Sequence, residues 1–77
     1  MPEAISSQVA RLLKAEREKR GISLNLLAQK AAMSRQAVAF IEQELRNPTL
    51  NTLLRLTAAL EVEPEKIIAH ARKLAGG

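Results

Sequence analysis

Residues 24–43 read LNLLAQKAAMSRQAVAFIEQ, and two short apolar stripes run through them. Leu27, Ala28 and Ala31 repeat at helical spacing behind Ser23, whose side-chain oxygen can accept from the orphan N–H groups of a helix start. Ala32, Met33 and Ser34 interrupt that pattern. Ser34 is a second capping residue, and Val38, Ile41 and Leu45 follow at i, i+3 and i+7, the inner face of another helix. The stretch therefore predicts two short helices joined by a tight turn.

Such a pair needs a small residue where the helices approach, an apolar plug in the turn and an apolar inner face on the second helix. Ala28, Met33, Val38 and Ile41 meet those needs. At 100° per residue, an inward Val38, Ile41 and Leu45 throws Gln36, Phe40 and Gln43 onto the opposite face. Ala39 lies beside them and Arg35 at the N-terminal flank, which makes a surface able to enter a groove.

Outward from this pair, Ile5, Val9, Leu12 and Leu13 mark a first helix running to Arg20, with Gly21 beyond its end. Asn47 and Pro48 break the chain, and Thr49 caps a fourth helix carrying Leu50, Leu53, Leu54, Thr57 and Leu60. Pro64 suits the first turn of a fifth helix over about residues 64–75, with Glu65 at its start and Arg72 and Lys73 at its end. No strand, repeat or linker pattern is visible. The five helices predict one all-α domain over residues 1–77, with the first few residues and the last two glycines as loose ends.

Composition agrees with packed helices and narrows the chemistry. The chain has 77 residues, 47% of them apolar and 26% charged, with Phe40 its single aromatic. Its core must be built from aliphatic side chains, and a chain this short buries only about 60–65% of its unfolded surface, so pairing with a second copy is a natural supplement. Cysteine is absent and His70 is the lone histidine, which argues against a disulfide, a metal site or any metal cofactor. We find no serine–histidine–acid set and no glycine-rich phosphate loop, so an enzyme is not expected. Neither a membrane span nor a secretory signal is visible, which points to the cytoplasm. The net charge of +4 favours an anionic partner, nucleic acid first.

Nearly the whole chain resembles the Cro/repressor-like helix-turn-helix family, also called the Xre family. The resemblance rests on Arg17 through Gly21-Ile22-Ser23, Leu27-Ala28, Met33-Ser34, Val38 with Ile41-Glu42, Arg46-Asn47-Pro48-Thr49-Leu50 and Ala59-Leu60-Glu61-Val62. It implies a lambda-repressor-like domain of five helices whose second and third form the helix-turn-helix, about residues 24–43. It also implies binding to operator DNA as a homodimer, with the third helix in the major groove and the protein held at the nucleoid. Residues matching Arg35, Gln36 and Phe40 face base edges in the family, and those matching Arg46 and Asn47 lie near phosphates. Arg17 and Glu42 match a pair that looks like the family's internal salt bridge.

Each of these residues has a chemical reason and a plainer alternative. Arg35 can bond guanine O6 and N7 together, and Gln36 can bond adenine N6 and N7, although glutamine is also an ordinary exposed helix residue. Phe40 either touches thymine methyl groups or folds back against Leu45 or the Glu44 stem. Arg46 and Asn47 would grip backbone phosphate and set register rather than sequence. The full DNA-facing set is then Arg35, Gln36, Ala39, Phe40, Gln43, Arg46 and Asn47.

The chain also departs from the family pattern. Ala32 and Glu44 stand where the family usually has glycine, and a left-handed backbone there costs about 1–2 kcal/mol, so altered turns are expected. Leu24 replaces a frequent phosphate-binding glutamine, and Leu26 stands where a polar residue is common. These apolar substitutions favour, as the alternative, an adaptor or antitoxin-like module that binds a protein such as a toxin or polymerase.

On the fifth helix, Ile67, Ala71 and Leu74 continue an apolar stripe with Ile68 beside it, and these four form the expected dimer interface, together with the end of the fourth helix. The whole reads as a sequence-specific transcriptional regulator, an autoregulating repressor or a restriction-modification-type controller, acting on a palindromic operator. With no ligand-sensing domain in view, concentration and dimerisation would set its activity.

Overall fold

A computed structural model describes residues 4–76; the loose ends expected at residues 1–3 and at Gly77 lie outside them. The described elements are all helices: α1 (Ile5–Lys19), α2 (Leu24–Ala31), α3 (Arg35–Glu42), α4 (Leu50–Leu60) and α5 (Pro64–Leu74). Three starts are capped as the sequence predicts. Ser23, Ser34 and Thr49 accept from the backbone N–H of Leu26, Ala37 and Thr52 at 3.0, 3.1 and 3.1 Å, interactions worth about 1 kcal/mol each. At α5 the proline supplies a preset φ instead, and Glu63 makes no side-chain cap.

The helix ends share one device. At Gly21, Ala32, Glu44 and Glu61 the backbone turns left-handed, with φ of 67°, 57°, 63° and 59°. In each case that residue's N–H bonds the carbonyl three residues back and the next residue's N–H bonds the carbonyl five back, as in Met33 to Ala28 (2.9 Å) and Leu45 to Phe40 (2.9 Å). This is the Schellman closure, in which two orphan carbonyls find donors. Only one of the four positions is glycine. The altered turns expected at Ala32 and Glu44 are thus not found: the chain keeps the left-handed geometry and tolerates the strain, because the paired closing bonds hold each turn.

A substitution test follows from that strain. Changing Ala32 and Glu61 together to glycine should raise stability by about 1–2 kcal/mol, since relief of left-handed strain outweighs the added freedom of the unfolded chain. For a domain of this size the thermal midpoint should rise by roughly 4–8 °C per kcal/mol. A midpoint that fell in a circular-dichroism melt would mean that the side chains at these turns do more than their backbone angles show.

The core is aliphatic. Leu13, Leu27, Val38, Leu56 and Leu60 are almost wholly buried, one or two from each of the first four helices, and Leu12, Ile22, Leu24, Met33 and Val62 pack around them. Thr57 is buried with them, its hydroxyl donating to the Leu53 carbonyl at 2.9 Å, so its burial leaves no donor unmet. The helix α5 lies along α1 and closes the bundle. Of the four residues expected at a dimer interface, Ile67 and Ala71 are 6% and 0% exposed and belong to the protomer's own core, while Ile68 is half-buried and Leu74 is exposed. A correction concerns Leu45. The helix α3 stops at Glu42, so Leu45 leaves the helical register and is 70% exposed rather than inward. No helix among the described residues is long and apolar enough to cross a membrane.

Candidate nucleic-acid interface

The helix α3 is seated from below. Val38 and Ile41 are 1% and 2% exposed against the core, and Glu42, its last residue, is held by α1. Arg17 donates from Nε to Glu42 Oε2 at 2.8 Å and from Nη2 to Oε1 at 3.0 Å, and its Nη1 donates to the Ile22 carbonyl at 3.0 Å. The carboxylate thus receives a two-pronged fork, and the same guanidinium ties down the turn after α1. Hydrogen bonding to Glu42, working against partial desolvation, holds the Arg17 guanidinium more firmly protonated than a free arginine.

A second tie joins the same elements at the surface. Arg11 Nε donates to Glu44 Oε2 at 3.2 Å. Hydrogen bonds from Ser7 and Arg11 hold the Glu44 carboxyl below the usual carboxylate range. A depressed carboxylate stabilises the fold above its unfolded value and loses that contribution as pH falls through the folded one, so this tie acts at neutral pH and fails in acid. The sequence reading missed it; the visible signal was a charged residue at a position where a glycine was expected.

The opposite face of α3 is open. Arg35, Gln36 and Gln43 are exposed, Ala39 is half-buried beside them, and Arg46 and Asn47 are exposed on the loop that follows. Phe40 is half-buried. The Arg46 guanidinium lies over its ring, 5.6 Å from the centroid. Among the described residues, no ion pair takes up Arg35 or Arg46, whereas Glu42 and Glu44 are both compensated by arginines of α1. The acidic groups at the end of α3 are therefore neutralised from behind, and the cations stay in front. Leu24 packs against the core, which explains its identity structurally, and Leu26 is 37% exposed on α2. Arg55, which the sequence reading passed over, reaches from α4 to the Ala32 carbonyl at 3.4 Å and so ties α4 to the turn between α2 and α3.

A family model described as helix-turn-helix matches residues 13–67. Among curated proteins, none matches. Solved structures do. The restriction-modification controller protein C.AhdI from Aeromonas hydrophila is 28% identical with a TM-score of 0.75, the alignment covering 82% of this chain and 94% of that one. The wild-type restriction-modification controller protein C.Esp1396I is 26% identical with a TM-score of 0.83 over 94% of each chain. SinR, a master regulator for biofilm formation solved in complex with DNA, is 30% identical with a TM-score of 0.71, covering 77% of this chain and 95% of that one.

Proposed function

This chain belongs to the Xre-type helix-turn-helix family, a DNA-binding transcriptional regulator by that membership, and from this premise we propose that it works as a homodimeric repressor or controller that reads a palindromic operator through α3. The observation that carries the proposal is the division of α3 into two faces, one pinned to the core by Val38, Ile41 and the Arg17–Glu42 pair, the other presenting Arg35, Gln36 and Gln43 to solvent. A recognition helix needs that rigidity behind and that chemistry in front. In this reading Arg35 and Gln36 meet base edges, Ala39 and Gln43 line the groove, and Arg46 and Asn47 hold phosphate. The whole chain acts as one domain.

Dimerisation supplies the palindrome. With Ile67 and Ala71 buried in the protomer, Leu50, Leu54 and Leu74 are the large apolar side chains of α4 and α5 most open to a second copy, at 68%, 46% and 50% exposed, and Ile68 is half-buried. We place the twofold contact there. The expected twofold dimer would set its two recognition helices about 34–36 Å apart, one DNA turn. The controller proteins among the similar structures favour a controller role for this chain.

The test is selection from a pool of random duplexes at near-physiological salt, followed by sequencing. Enrichment of a two-half palindrome is expected. In parallel, Leu54→Glu should leave the helical signal intact and shift sedimentation at micromolar concentration from dimer to monomer. An enriched motif without twofold symmetry, or a wild-type chain that sedimented as a monomer, would overturn the homodimer; a Leu54→Glu variant that remained a dimer would overturn the placement of the contact; retention that vanished with modest salt and showed no motif would overturn sequence reading altogether.

A further inference from the structure

We propose that Phe40 is a positioning residue, which acts on nucleic acid through Arg46 rather than by touching bases itself. The inference rests on reading the outer face of α3 as a DNA surface. Three observations converge on the pair. The ring of Phe40 stands on that outer face and carries the Arg46 guanidinium at 5.6 Å, within the range of a cation–π contact. The backbone repeats the link: the Phe40 carbonyl accepts from Leu45 N–H at 2.9 Å, closing the turn that brings the next residue, Arg46, back over the ring. That turn requires Glu44 to be left-handed, at φ 63°, and Glu44 is anchored from α1 by Arg11 at 3.2 Å.

The consequence is a cation with little freedom left to lose. An arginine on an exposed loop gives up rotamer entropy when it grips a phosphate, and a guanidinium already laid on a ring has given up part of it in advance. A guanidinium held over a ring keeps its N–H groups, which lie in its own plane, available to a phosphate. This accounts for the only aromatic residue of the chain standing on a polar surface, where a direct reader would be expected to be polar. Leu45, the residue between turn and arginine, is exposed because the turn serves Arg46 and not the core.

A double-substitution cycle separates positioning from direct contact. The probe is a labelled random-sequence duplex about three turns long, titrated at roughly 50 mM salt, with Phe40→Leu, Phe40→Tyr, Arg46→Ala and the combined Phe40→Leu/Arg46→Ala. Phe40→Leu is expected to weaken binding about two- to five-fold, the strength of an exposed cation–π contact, and Phe40→Tyr to restore it. In the Arg46→Ala background Phe40→Leu should have no further effect. The free protein gives an arm without DNA: the Arg46 side-chain protons should show ring-current shifts in the NMR spectrum that disappear in Phe40→Leu and persist in Phe40→Tyr. An equal loss from Phe40→Leu in both backgrounds, or absent ring-current shifts, would overturn the proposal while leaving DNA binding intact. A wild-type chain without salt-dependent duplex binding would overturn the regulator reading first, and this role with it.

Discussion

Glu42→Ala is expected to cost about 3 kcal/mol of folding stability, the largest single-residue effect in the interface scaffold. The carboxylate is 6% exposed and its partner guanidinium 14%, so neither is well screened by water. Removing Glu42 leaves Arg17 with only its bond to the Ile22 carbonyl, a charge half-stranded beside the core. For a domain of this size that is a large share of the total, and the thermal midpoint should fall by roughly 12–24 °C. The Arg11–Glu44 pair is the internal contrast. Its side chains are 50% and 33% exposed, so water screens the pair and Arg11→Ala should cost much less than Glu42→Ala. Replacing both members of the inner pair, Arg17→Met with Glu42→Leu, should recover much of the single loss, because no charge is left unmatched. Denaturant unfolding of the three variants decides the matter; a Glu42→Ala variant no weaker than Arg11→Ala would mean that α3 is seated by Val38 and Ile41 alone.

Arg35→Ala should reduce affinity for the selected operator about 5- to 150-fold, with loss of preference at one base pair in each half-site. The arginine is exposed at the first position of α3, so its removal should leave the melting curve where it was. The pattern across sequences is the informative part. A side chain that reads guanine affects the specific site more than random duplex, whereas a phosphate contact weakens both alike and lowers the salt slope by about one. Equal loss on operator and random duplex would move Arg35 to the phosphate group of contacts and leave Gln36 and Gln43 as the readers.

Much of this molecule can be read without coordinates. The caps Ser23, Ser34 and Thr49, the proline opening α5 and the stripes that place Leu27, Val38 and Leu60 inside are local or periodic signals, and the helices lie where those signals put them. The outward set on α3 is legible for the same reason, since a helix with a known inner face has a known outer one. Periodicity misleads only where the helix stops: Leu45 fits the stripe by spacing, yet α3 has already turned at Glu44.

Packing alone settles which exposed-looking groups meet across the chain. Ile67 and Ala71 have the pattern of an interface, and whether that face meets α1 or a second copy depends on how α5 docks, which no window of sequence records. Arg11 and Glu44 are 33 residues apart and Arg55 and Ala32 are 23, so their ties exist only once the helices have packed. Phe40 and Arg46 are close in sequence, but their contact depends on a left-handed residue between them that the side-chain types disfavour and the fold enforces. Helix formation and facing follow from nearest-neighbour chemistry and a fixed period, so the chain itself determines them. Pairing between elements is a choice among many faces of similar hydrophobicity, settled by the shape and charge of the whole bundle.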